Sequence, residues 1–166
     1  MLFRSTIHRA ENTDSIERLC AIFEALGVIA REIKVVVPLH PRTRSCLESA
    51  GLASLPLASL SLIDPVGYLD MMLLERHAKL IATDSGGVQK EAYFHQVPCV
   101  TLRDETEWGE LVETGWNRLV PPRNVEHIVS SLRAALKKSA PLQRPGLYGN
   151  GRAADEIARL LIPGGR

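Results

Sequence analysis

The nine residues Thr83-Asp84-Ser85-Gly86-Gly87-Val88-Gln89-Lys90-Glu91 combine types that could hold an anion and a sugar. They follow an apolar run, Leu80-Ile81-Ala82, that reads as a buried strand. They precede Ala92-Tyr93-Phe94, which continue a helix. A strand, a turn of small residues and a helix together aim backbone N–H groups and the positive helix end at whatever lies above the turn. Two glycines let an anion approach the backbone closely. Glu91, four residues after Gly87, falls on the same helical face one turn further in. A carboxylate repels phosphate but accepts hydrogen bonds from sugar hydroxyls, so the pattern points to a nucleotide or nucleotide sugar. Neither a Walker loop nor G-x-G-x-x-G is present. The same residues also suit an ordinary strand-to-helix turn with a serine cap.

The elements that would position this turn alternate along the chain. Strands are expected at Leu2 to Ile7, Lys34 to Leu39, Leu57 to Ile63, Lys79 to Thr83, Cys99 to Leu102 and Asn117 to Val120. Helices are expected between them. One starts at Asp14-Ser15-Ile16-Glu17 and carries Ile16, Leu19, Cys20, Phe23 and Leu26 at helical spacing. Others span Arg42 to Ala50, Tyr68 to Arg76, Gly86 to His95 and Glu107 to Glu113, the last closed by Gly115. Asn124 caps another, and Ala153 to Leu161 forms the last, after a Pro- and Gly-rich loop from Pro141 to Gly151. Strict alternation means a parallel sheet covered on both faces. The expected fold is α/β: a single doubly wound, Rossmann-like domain over residues 1–166 with six strands.

Ligands of such sheets bind at the carboxyl ends of the strands. Polar residues gather there: Thr6, His8, Arg9, Glu11 and Asn12; His40, Arg42 and Arg44; Asp64, Pro65, Tyr68 and Met71; Asp84, Ser85, Gly86, Gly87 and Glu91; and Arg103 to Glu107. His8 can donate to a diphosphate or move a proton near neutral pH. Arg9 can pair with phosphate through two N–H groups. Each also has a plainer role as a loop residue. Tyr68 and Met71, three apart, either flank a base or belong to the core.

Composition excludes several classes. Hydrophobic residues make up 45% of the 166, which suits a folded core. A net charge of +1 gives no nucleic-acid footprint, and 5% aromatics gives no base-stacking platform. The longest apolar run, Leu52 to Ile63, contains Pro56 and is too short to span a bilayer. No signal peptide is visible. The three cysteines, Cys20, Cys46 and Cys99, are widely spaced, so neither disulfides nor a metal site is expected. Buried thiols of this kind fit a cytoplasmic protein.

Five segments in order carry a family resemblance: Thr6-Ile7-His8-Arg9-Ala10-Glu11-Asn12, Pro38-Leu39-His40-Pro41-Arg42-Thr43, Ile63-Asp64-Pro65-Val66-Gly67-Tyr68, Thr83 to Glu91, and Arg103-Asp104-Glu105-Thr106-Glu107. From about residue 4 to about residue 158 the chain resembles the C-terminal half of non-hydrolysing UDP-N-acetylglucosamine 2-epimerases. The resemblance implies a glycosyltransferase-B-type enzyme: two Rossmann-like domains with a UDP-sugar in the cleft between them, no cofactor, and a homodimeric parent. It implies that Ser85, Gly86 and Gly87 hold the diphosphate and Glu91 the ribose. Asp64, Pro65, Tyr68 and Met71 would line the uracil pocket, and His8 would act at the diphosphate and sugar. Arg9, His40, Arg103 and Glu107 match positions that contact substrate or an activating second nucleotide sugar. The family eliminates UDP to a 2-acetamidoglucal and adds it back, with most of the proton-moving carboxylates on the N-terminal domain. The chain on its own is therefore expected to bind UDP weakly and to turn nothing over. Its start, almost at the first strand, fits a truncated gene or an excised domain.

One departure bears on the sugar. Many members continue Thr-Glu with Arg-Pro-Glu, whereas here Thr106-Glu107 is followed by Trp108-Gly109-Glu110. That variant resembles relatives acting on sugars such as UDP-2,3-diacetamido-glucuronic acid. A glycosyltransferase of the same architecture and a stand-alone nucleotide-sugar-binding module remain the competing readings.

Overall fold

The alternating apolar runs form the strands β1 (Leu2–Thr6), β2 (Lys34–Pro38), β3 (Ser61–Ile63), β4 (Ala78–Thr83), β5 (Cys99–Thr101) and β6 (Asn117–Leu119). A computed structural model describes residues 2–51 and 57–161. In it these strands make one sheet in the order β3-β2-β1-β4-β5-β6, and every pairing is parallel. That order is doubly wound, and it reverses direction between β1 and β4. A crevice opens at such a reversal because the connecting helices leave in opposite directions.

The helices are α1 (Ala10–Thr13), α2 (Ile16–Ile29), α3 (Pro41–Ser49), α4 (Tyr68–Arg76), α5 (Gly86–Phe94), α6 (Gly109–Glu113), α7 (Val125–Lys137) and α8 (Ala153–Leu161). Alternating side chains of the central strands feed two cores. Phe3, Val35, Val37, Leu80 and Ala82 pack with Leu19, Phe23 and Leu26 of α2 and with Ile128 and Leu132 of α7. On the opposite face Ile81 and Cys99 meet Ala92 of α5 and Val97. A third cluster joins Tyr93, Leu111 and Trp116 beside the C-terminal loop. Burial drives the Cys99 thiol up to about 12, consistent with the buried strand cysteine expected from sequence.

The element order is as the sequence implied, with four local differences. Ser15 rather than Asp14 caps α2, its hydroxyl accepting from the Arg18 amide. The strand expected from Leu57 is a 3-10 turn at Leu57–Ser59 followed by a three-residue edge strand, β3. The early part of the Leu52 to Ile63 run, residues 52–56, lies outside the described residues. The helix expected from Glu107 begins at Gly109, because Thr106 and Trp108 form a turn in which the Trp108 amide donates to Thr106 Oγ1 at 3.1 Å. The one-turn helix α1 is additional to the expected elements and has no periodic apolar signature. Gly115, at φ +77°, closes α6 in the left-handed conformation that glycine adopts without strain.

Candidate functional site

Asp84 organises the crevice. It lies at the end of β4, fully buried, and its carboxylate gathers donors from the loop after β1. The backbone amide of His8 donates to it at 3.1 Å, that of Arg9 at 3.0 Å, and the Asn12 side-chain amide at 3.0 Å. Asn12 also donates to the Leu102 carbonyl, tying in β5. The Thr6 and Thr83 hydroxyls meet at 2.8 Å between the two central strands. One buried carboxylate thus locks together the ends of β1, β4 and β5. Its negative charge is matched by donors alone, the arrangement that buried anions require.

Immediately beyond Asp84, α5 opens toward solvent. Ser85 caps it, its hydroxyl facing the Val88 amide at 3.5 Å and its carbonyl accepting from Gln89. The Gly86 and Gly87 amides, at the first two helical positions, have no acceptor in the helix itself. A Cβ on Gly87 would have only Ser85 Oγ, at 3.9 Å, as a neighbour, so this residue faces open space. Gly86 is tighter: a Cβ there would meet Glu107 Oε2 at 3.4 Å, Trp108 Nε1 at 3.5 Å and Arg9 Nη2 at 3.6 Å. A Cβ there would sit in ordinary van der Waals contact with these side-chain ends. The Trp108 indole donates to the Gly86 carbonyl at 2.9 Å, and the Lys90 ammonium sits 3.5 Å from the centre of its ring.

His8 is exposed beside this helix end, with Nδ1 3.4 Å from Asp84. Its ring centre lies 6.4 Å from that of His40. His40 caps α3, its Nδ1 accepting from the Arg42 amide at 3.2 Å, which leaves Nε2 to carry the proton. Between the two imidazoles and α4 is a cavity of about 240 Å³ lined by Thr6, Ile7, His8, Pro38, His40, Pro65, Met71 and Val88, with Arg4 at its floor. Larger hollows of about 480 and 770 Å³ lie elsewhere, one against the Glu32 and Arg133 ion pair and one on an open face of α4. Neither adjoins the carboxyl ends of β1 and β4.

The remaining sequence candidates divide into two groups. Pro65 and Met71 line the cavity. Tyr68 is 67% exposed and Asp64 has a side chain 90% exposed and paired with Arg44 at 2.8 Å, so neither forms part of the cavity wall. Arg103 is buried. Burial opposes its charge, but hydrogen bonds to Glu107 at 2.9 Å and Glu11 at 2.9 Å outweigh this and raise its pKa. The Arg103 guanidinium in turn holds Glu107 below the usual carboxylate range. Arg103 is a brace between two loops, and Arg9, 3.5 Å from Glu107, forms the outer edge of the same network.

Two residues of this region carried no functional signal in the sequence. Arg4 and Glu75 are both buried and sit 2.8 Å apart beneath the cavity. An arginine inside a strand otherwise reads as an edge residue, and a glutamate near a helix end reads as solvated. Only their convergence in space identifies them.

The sequence profile of the UDP-N-acetylglucosamine 2-epimerase family matches residues 2–162. Over 159 residues the chain is 50% identical to the UDP-2,3-diacetamido-2,3-dideoxy-D-glucuronate 2-epimerase of Pseudomonas aeruginosa, covering 95% of this chain and 43% of that one. It is 41% identical over 166 residues to the UDP-N-acetylglucosamine 2-epimerase of Methanocaldococcus jannaschii, covering 98% of this chain and 44% of that one. The crystal structure of the Methanocaldococcus enzyme in complex with UDP-GlcNAc and UDP superposes with a TM-score of 0.83 at 40% identity, covering 96% of this chain and 44% of that chain. The chain therefore spans less than half the length of the relatives it matches.

Proposed function

The chain belongs to the UDP-N-acetylglucosamine 2-epimerase family, and from that premise we propose that it is the UDP-holding half of a two-domain nucleotide-sugar 2-epimerase. The observation that carries this reading is the open N-terminus of α5 at the sheet's reversal point, flanked by His8 and a cavity of matching chemistry. The diphosphate sits on Ser85, Gly86 and Gly87, where free amides and the helix dipole favour negative charge. Glu91 accepts from the ribose hydroxyls. The base enters beside Pro65 and Met71, with Asp64 and Tyr68 at its outer margin. His8 stands between diphosphate and sugar, and Arg9, His40 and Glu107 ring the opening toward the partner domain. Arg103 contributes by fixing Glu107.

The proposed reaction inverts C2. A base on the other half removes the C2 proton as the C1–O bond to UDP breaks, leaving a 2-acetamidoglucal and free UDP. UDP then adds back at C1 while a proton arrives at C2 from the opposite face. Atoms balance with no cofactor. This half holds the leaving group and returns it; the carboxylates that move the proton lie on the other half, and the intact parent is a homodimer. The sugar is favoured to be a diacetamido uronic acid over N-acetylglucosamine, because the Pseudomonas relative, at 50% identity, acts on UDP-2,3-diacetamido-2,3-dideoxy-D-glucuronate.

Incubating the chain with UDP-sugar in deuterated water tests the division of labour. Expected are saturable UDP shifts by NMR, with a dissociation constant of about 1 mM because half the cleft is missing, and no exchange at C2. Deuterium at C2 would place the proton chemistry in this half and overturn the proposal. Absence of any UDP shift would overturn the binding role.

A further inference from the structure

Arg4 is the largest fully buried side chain among the described residues, and the fold leaves most of its donors idle. It comes from β1 and forms the floor of the cavity of about 240 Å³, whose exposed His8 and His40 mark the mouth. A guanidinium carries five N–H groups. One of them, on Nη2, donates to Met71 Sδ at 2.9 Å, and a thioether is a weak acceptor. Nη1 lies 2.8 Å from Glu75 Oε1 but out of line for a hydrogen bond, and Nε has no acceptor among the described residues. Idle donors on a buried charge are strongly unfavourable in a low-dielectric interior, so each such case calls for a reason.

Three properties of the cavity say what would complete Arg4. Its volume is below the roughly 300 Å³ at which pockets for whole drug-sized ligands begin, so it takes one ring rather than a whole nucleotide. Its walls include Ile7, Pro38, Pro65, Met71 and Val88, apolar surfaces that suit the faces of an aromatic ring. Its buried cation already faces the Glu75 carboxylate, so a neutral acceptor fits it better than a further anion. A carbonyl oxygen on a flat ring meets all three conditions.

We propose that Arg4 selects the base of the nucleotide: its guanidinium donates to the O4 carbonyl of a uracil ring held in this cavity. The proposal rests on the reading of the cavity as the nucleotide site. The ribose and diphosphate stay at the mouth, beside His8 and the start of α5, so the ring enters with N1 outward. C4 lies opposite N1 across a pyrimidine ring, and the atom attached to C4 therefore reaches the floor first. In uracil that atom is an oxygen, which replaces the Met71 sulfur as the acceptor for Nη2. In cytosine it is an amino group, so a donor would face a donor. Sites built to hydrogen-bond a ligand reject an analogue that leaves the buried group unpaired.

The test is the ratio of CDP to UDP dissociation constants, measured by NMR titration of the chain. Burial raises Glu75 to about 7, so titration at pH 8 keeps it ionised against Arg4. Ribose and diphosphate are common to the two ligands and cancel in the ratio. The wild type should prefer UDP by about tenfold or more, the loss of one hydrogen bond to a charged group. Arg4→Met alone would strand Glu75, so the variant is Arg4→Met with Glu75→Leu, an apolar pair in place of the ion pair. Its ratio should fall to near one through weaker UDP binding. A role confined to packing would lower both affinities together and leave the ratio unchanged. A wild-type ratio near one, or a double variant that keeps the preference, overturns the proposal and leaves the nucleotide site standing. A wild type that binds neither ligand ends the nucleotide reading of the cavity, and the proposal with it. A crystal structure of the wild-type chain with UDP gives an answer that needs no variant. Uracil O4 should lie about 3 Å from Arg4 Nη2, and an O4 turned away from Arg4 refutes the assignment.

Discussion

Replacing Asp84 by Ala would leave the His8 and Arg9 backbone N–H groups without their acceptor. Leaving buried donors unsatisfied costs on the order of 2–4 kcal/mol, and urea denaturation of Asp84→Ala should show a loss of that size. Gly87 makes the opposite case. Its Cβ position faces open space, so Gly87→Val should keep the wild-type denaturation midpoint while abolishing the saturable UDP shifts by NMR. A variant that binds UDP as before would remove the turn from the phosphate. The two residues lie three positions apart in the same motif, yet only one is readable for its role. The Gly-Gly pair after a buried strand has a local physical meaning, namely backbone approach and free amides. Asp84 acts through partners 72 to 76 positions away, and no local pattern encodes them.

At the scale of elements, capping separates stability from binding. Ser85 caps α5 and Asn124 caps α7, each accepting from an amide three residues on. Ser85→Ala and Asn124→Ala should each cost about 1 kcal/mol in denaturation. Only the first should also weaken UDP, measured by NMR, because of these two helices α5 is the one that begins at the cavity's edge. Elements with apolar periodicity or β-branched runs, such as α2, β2 and β4, were legible because burial repeats along them. The one-turn α1 was not: Asn12 and Thr13 are buried for their hydrogen bonds, which leaves no hydrophobic trace. The Arg103 to Glu107 loop illustrates the same limit. Its charges suit either a solvated loop or a ligand-facing rim, and the sequence does not show that Arg103 is buried with its hydrogen bonds on Glu11 and Glu107. α8 has strong amphipathic spacing, and every one of its residues is exposed in this chain, Leu160 by 86%. A nine-residue helix without packing partners is marginal in water. Its amides should exchange with deuterium far faster than those of α2.

For the molecule as a whole, the buried acid Glu75 links folding to pH. Its folded pKa, about 7, lies above that of an exposed glutamate, so the folded state holds the proton that the unfolded state releases. The stabilisation is fully present below the ordinary carboxylate range and is lost as pH rises through about 7. Urea midpoints of the wild type should therefore fall, relative to those of Glu75→Gln, between pH 5 and 8, by on the order of a few kcal/mol in stability. The parallel sheet and the packing of α4 on it bring Glu75 of α4 against Arg4 of β1. The indole of Trp108 is placed where all these events converge: it is bonded to the Gly86 carbonyl, stacked under Lys90, and one of only two tryptophans in the chain. Trp116 is almost wholly buried, in the cluster against whose edge Trp108 packs. Nature has thus placed a chromophore on the lip of the crevice, and ultraviolet emission from unlabelled protein should brighten, dim or change colour as the lip fills, giving occupancy a visible clock.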